Sequence, residues 1–138
     1  MHHYFIVEKT FEHMIECFCP DGAHEDSIEI KKADIIEVTN DRQYMSDNGW
    51  YIKVFLNNYW HFHIALEDLE KYFTQGMIVS LVDLELKINH LNYLIDQSLS
   101  KGDKFSFLQS TKRLKESKYL KLNLESYLSR EAENLFMS

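Results

Sequence analysis

Apolar positions change their period once along this chain, near residue 75. Before that point apolar runs are short and alternate with polar residues. Tyr4-Phe5-Ile6-Val7 and Met14-Ile15-Glu16-Cys17-Phe18-Cys19 are rich in β-branched and aromatic side chains, which suit a pleated surface. Pro20-Asp21-Gly22 is a turn signal, since Pro presets one dihedral and Gly accepts a positive φ. Ile28-Glu29-Ile30 alternates, and Ile35-Ile36-Glu37-Val38 follows Lys31-Lys32-Ala33-Asp34. A polar stretch from 40 to 49 ends in the turn Asp47-Asn48-Gly49. Trp50-Tyr51-Ile52-Lys53-Val54-Phe55 is the clearest strand, and Asn57-Asn58 is a tight turn into Tyr59-Trp60-His61-Phe62-His63-Ile64. Five or six short strands within 75 residues predict a small barrel or sandwich.

After Thr74-Gln75-Gly76 the period becomes helical. Leu81, Leu84, Ile88, Leu91 and Ile95 recur every three or four residues, with Leu94 and Leu99 widening the stripe. Gly102 suits a left-handed C-terminal position and Asp103 can cap the helix that follows. That helix carries Phe107, Thr111 and Leu114, with Leu108 beside them. Beyond Ser117 the stripe shifts to Leu120, Leu124 and Leu128, which predicts a bend or a third helix over about 118–134. The chain is therefore expected to be α+β, with a small β-barrel over 1–75 and a helical hairpin or three-helix unit over 76–138.

The first half resembles the Src-homology-3-like barrel. The resemblance rests on residues 30–38 around Lys32-Ala33-Asp34, on Gly49-Trp50-Tyr51, on Trp60 to Ile64 and on Glu67-Asp68-Leu69-Glu70. The family pattern is a basic-Gly-Asp turn opening a strand, an aromatic pair after a polar loop, and a short closing segment. Ala33 stands where that pattern has Gly, and the acidic-aromatic opening motif and the groove proline are absent. The resemblance thus implies the barrel without polyproline recognition. Ile95-Asp96-Gln97-Ser98-Leu99, with Gly102-Asp103, Phe107 and Leu114, is similar to the IDEAL domain of low-GC Gram-positive bacteria. That resemblance implies a small cytoplasmic protein and supplies no catalytic residues.

Composition adds a charge pattern. The 138 residues carry a net charge of -7, with 4 Gly and 1 Pro. The average hides a contrast: residues 1–75 sum to -8. Residues 101–121 set Lys101, Lys104, Lys112, Arg113, Lys115, Lys118 and Lys121 against Asp103 and Glu116, for +5. Such a dipolar charge distribution steers partners more than it holds a fold. The acidic whole argues against wholesale phosphate-backbone binding. The start of the chain lacks a signal-peptide pattern, and charges interrupt the longest apolar stretch, 77–99, so no membrane span is expected. Two cysteines are too few for a disulfide framework, and a cytoplasmic location follows as the expectation.

Candidate chemistry is sparse. Cys17 and Cys19 would share one strand face, as would His61 and His63; zinc would need the two strands to be neighbours. A buried Cys otherwise serves as a small hydrophobe, and no metal or cofactor is expected. No nucleophile constellation stands out, Gly is too rare for a phosphate-cradling loop, and no catalytic activity is expected. The expected function is a non-enzymatic interaction or regulatory module that binds a cytoplasmic protein. Trp50, Tyr59 and Trp60 would anchor one surface, while Lys112, Arg113 and Lys115 steer the other. The alternative is a nucleic-acid-associated regulator using 101–121. Leu94, Leu108 and Leu122 exceed what one helix face can bury, so a homodimer through the helices is also expected.

Overall fold

The computed structural model describes residues 3–17, 24–46 and 48–137. The chain is α+β and divides into two compact units, 1–79 and 80–138. The Pro20-Asp21-Gly22 turn and Cys19 lie outside the described residues.

The first unit contains β1 (His3–Val7), β2 (Phe11–Cys17), β3 (His24–Ile30), β4 (Ile35–Met45), β5 (Gly49–Leu56), β6 (Trp60–Ala65), α1 (Leu66–Thr74) and β7 (Ile78–Val79). Five strands form an antiparallel sheet in the order β6-β5-β4-β1-β7. β2 and β3 pair as a separate antiparallel ribbon. The first strand thus lies between the last strand and β4, and the ribbon is inserted between β1 and β4 in sequence.

The core follows from alternation. Ile52, Val54 and Leu56 of β5 are buried, and so are Phe62 and Ile64 of β6. They meet Val7, Ile30, Ile36, Val38 and Ile78, while Leu66, Leu69 and Tyr72 of α1 pack on the same cluster. β4 is long because it continues through polar residues that pair with β5, Tyr44 opposite Trp50. Its register shifts between Val38 and Arg42. Thr39 bridges the irregularity: its hydroxyl donates to the Lys53 carbonyl at 2.8 Å and accepts from the Asp41 N–H at 3.2 Å. A side chain there stands in for ladder bonds that a bulge removes.

Two turns bring chain segments together. Asn57 and Asn58 both have positive φ, 55° and 57°, as a two-residue hairpin turn of the primed type requires. Ala33 has φ 76°, the left-handed region that Gly occupies without steric cost.

The second unit is a hairpin of α2 (Leu81–Lys101) and α3 (Lys104–Met137). Ser80 and Asp83 form a reciprocal capping box at the start of α2. Gly102, at φ 67°, ends α2. Asp103 caps α3: its carboxylate accepts the Ser106 N–H at 3.1 Å and the Ser106 hydroxyl at 2.7 Å. These contacts hold its pKa below the ordinary 3.8, the Ser106 side-chain bond first. α3 is one continuous helix of 34 residues. No separate third helix begins near Ser117, because no Gly or Pro follows Gly102 to stop propagation. The stripe fades there because Ser110 and Ser117, both buried, occupy seam positions. Ser98 is buried on α2, whereas Leu99 is 61% exposed. Leu99 therefore does not face α3 as the apolar spacing predicts; the seam has rotated to Ser98. No described helix is long and apolar enough to cross a membrane.

Candidate functional site

The first unit carries a groove of about 730 Å³. It lies between the β2–β3 ribbon, the 31–34 turn and the β5–β6 turn. Ile15, Ile28 and Leu56 give it an apolar floor, and Tyr59 and Trp60 line one side. Asp26, Glu29 and Asp34 set three carboxylates around it against Lys31. Tyr59 is 83% exposed and Trp60 59%, with ring centroids 6.5 Å apart. Trp60 shares its strand face with Phe62 and Ile64, but lies beyond them at the strand's open end.

Local geometry fixes this site tightly. The Lys31 N–H donates to Asp34 Oδ2 at 2.8 Å, and Asn57 Nδ2 donates to Asp34 Oδ1 at 3.1 Å. Asn57 Oδ1 accepts the Ile35 N–H at 2.8 Å. Thr10 Oγ1 accepts the Lys32 N–H at 3.0 Å. The two turns flanking the groove are thereby tied to each other through side chains, so the groove is preformed on a rigid support.

The other sequence-predicted residues do not converge on it. Trp50 is the second residue of β5, and its ring lies 5.3 Å from that of Tyr44, both more than half exposed. Trp60 pairs opposite Leu56, at the other end of β5, about 20 Å along the strand from Trp50 at 3.3 Å per residue. Lys112, Arg113 and Lys115 are exposed on α3. Arg113 is turned about 100° from Lys112 and lines a small polar cleft of about 250 Å³ with Asp103, Gln109 and Ser98. Lys112 and Lys115 lie about 60° apart on a face that does not include Arg113. Leu108 and Leu122 are exposed at 56% and 64%, and Leu94 is half-buried.

His61 is exposed and His63 half-buried, on the β6 face that carries Lys53 and Phe55 of β5. β2 meets β6 through the opposite face, where His13 stacks on Phe62 with centroids 5.8 Å apart. The β2–β6 contact therefore does not bring the two histidines toward β2. Among the described residues no cluster of three or more His, Cys, Asp or Glu could hold a metal ion.

One polar contact has no precedent in the sequence pattern. His13 is 3% exposed, and its Nδ1 shares a hydrogen bond of 2.8 Å with the Tyr72 hydroxyl. The Phe11 ring lies against that of Tyr72, with centroids 4.4 Å apart and planes tilted by 39°. Burial, and then the charge of Asp68, raises the Tyr72 pKa above its ordinary 10.0. A single buried His–Tyr contact between β2 and α1 serves as a polar clasp, since buried polar groups need partners. No sequence signal marks this contact, since His13 precedes the apolar run 14–19 and enters the strand only because β2 begins at Phe11.

No family model, curated protein or solved structure matches the chain.

Proposed function

We propose that the protein is a non-enzymatic interaction module whose groove beside Trp60 receives an apolar segment of a cytoplasmic protein partner. The observation that carries this reading is the groove itself: an apolar floor, two large exposed rings and a carboxylate-rich rim on hydrogen-bonded turns. Exposed aromatic side chains on a rigid support are the usual anchors of protein interfaces. The rim favours a segment that carries basic residues beside its apolar ones.

Within this reading the first unit is a Src-homology-3-like scaffold. The return of β7 to β1, the inserted β2–β3 ribbon and the left-handed position at Ala33 support it. The hairpin over 80–138 carries the IDEAL-like segment, with Ile95 half-buried, Asp96 exposed and Gly102-Asp103 forming the turn.

The test is partner capture from the native cell with three forms of the full chain: unaltered, Trp60→Ala and Trp50→Ala. A specific partner should be lost with Trp60→Ala and kept with Trp50→Ala. Loss with neither, or with both equally, rejects the groove.

A further inference from the structure

α3 carries two heptad tracks, and only one of them faces α2. The inner track, which includes Ser110, Leu114, Ser117, Lys121 and Leu124, is buried or half-buried. Lys121 Nζ reaches Glu85 Oε1 of α2 at 3.9 Å. The outer track is Phe105, Leu108, Lys112, Lys115, Tyr119 and Leu122, spaced three, four, three, four and three residues apart. All six are exposed, and they fall within about 100° around the helix axis. Phe105 and Leu122, the two ends of the track, are 74% and 64% exposed.

A 3-4 alternation of large side chains is the period of a left-handed coiled-coil seam, where knobs of one helix enter holes of another. Here the outer layers are Phe, Leu, Tyr and Leu, and the two central layers are both Lys. We propose that this outer track of α3 docks an acidic amphipathic α-helix of another protein, with carboxylates in the partner's central layers opposite Lys112 and Lys115.

The same layers reject other occupants. Two α3 helices paired antiparallel, Phe105 against Leu122, would set Lys112 against Lys115; paired in parallel, they would set each lysine against its own copy. Like charges in a core layer are destabilising. A membrane-surface helix holds its bases at the flanks, where they snorkel to the headgroups. Here the lysines lie on the midline, between the apolar residues. Nucleic acid has no use for Leu108 and Leu122, and a protein helix does.

This surface is separate from the groove at Trp60. The full chain is titrated with two labelled helical peptides three heptads long, with Leu in the outer layers. The peptides differ only in having Glu or Lys in the central layers, and binding is read by fluorescence anisotropy. The Glu peptide should bind at least about tenfold tighter than the Lys peptide, and Lys112→Glu/Lys115→Glu should invert that preference. Both lysines are exposed, so circular dichroism should show unchanged helix content in the variant. Trp60→Ala should leave peptide binding intact, which separates failure here from failure of the groove. Equal binding of both peptides, binding of neither, or a preference that does not invert overturns the proposal. Co-sedimentation with phosphatidylserine vesicles, or a shift with a DNA duplex, without peptide discrimination also overturns it.

Discussion

Asp34 and Asn57 join the turn before β4 to the turn after β5: Asn57 Nδ2 donates to Asp34 Oδ1 at 3.1 Å. The other end of the Asn57 amide accepts the N–H of Ile35, a residue only 5% exposed. Removing that side chain strands a donor at a buried site, which costs about 1–3 kcal/mol. Asn57→Ala should therefore lower stability by about that much in chemical denaturation. Asn57→Gly, which relieves the positive φ but removes the same bonds, should still destabilise. A neutral or stabilising Asn57→Gly would mean that turn conformation alone decides.

Ala33 sits one residue before Asp34 at φ 76°. A Cβ in the left-handed region costs about 1–2 kcal/mol, part of which Gly returns through the entropy of its unfolded chain. Ala33→Gly should stabilise the protein by about 0.5–1 kcal/mol. A neutral or destabilising result in the same denaturation assay would show that the Ala33 methyl group contributes packing that outweighs its strain.

The Tyr72 hydroxyl gives the first unit an alkaline limit. Its raised pKa means that the fold prefers the neutral phenol. The resulting stability is complete below the unfolded value near 10.0 and is lost as pH rises through the higher folded value. Urea midpoints should fall above pH 10 in the unaltered chain. Tyr72→Phe should flatten that fall while losing about 1 kcal/mol at neutral pH with the bond to His13. An unchanged alkaline slope in the variant would assign the limit to other groups.

The two tryptophans report on opposite ends of β5. Trp60 lines the groove and Trp50 does not. A ligand seated in the groove should shift emission to shorter wavelength in Trp50→Phe protein and leave Trp60→Phe protein unchanged. A shift carried by Trp50 would move the binding surface to the Tyr44–Trp50 end.

What the sequence revealed depended on how strongly each segment alternates. β6 and the second half of β5 alternate and are readable from period two. β1, with adjacent Ile6 and Val7 both buried, is readable only from its β-branched and aromatic content. The Gly102-Asp103 junction was readable from residue chemistry, since a left-handed stop and a carboxylate cap have few substitutes. α1 leaves no legible period because Leu66, Leu69 and Tyr72 span only two turns. The far half of β4 was missed because residues 40–44 are exposed on both faces, which leaves no period to detect. Tyr59 and Trp60 are legible as large aromatics after a tight turn, but neither their exposure nor the groove beside them is, since its floor comes from Ile15, Ile28 and Leu56 on three separate strands.

Ser117 shows most directly why composition understates the hairpin. It is 2% exposed at the α2–α3 seam, where a small side chain lets the helices approach. Ser117→Leu would look favourable by hydrophobicity, yet it adds volume where none is free. It should destabilise the hairpin by about 1–3 kcal/mol, read as a lower thermal midpoint by circular dichroism. Leu122→Ser, on the exposed outer track of the same helix, should leave that midpoint nearly unchanged. If instead Ser117→Leu stabilised and Leu122→Ser destabilised the helix pair, the inner and outer tracks of α3 would have to be exchanged.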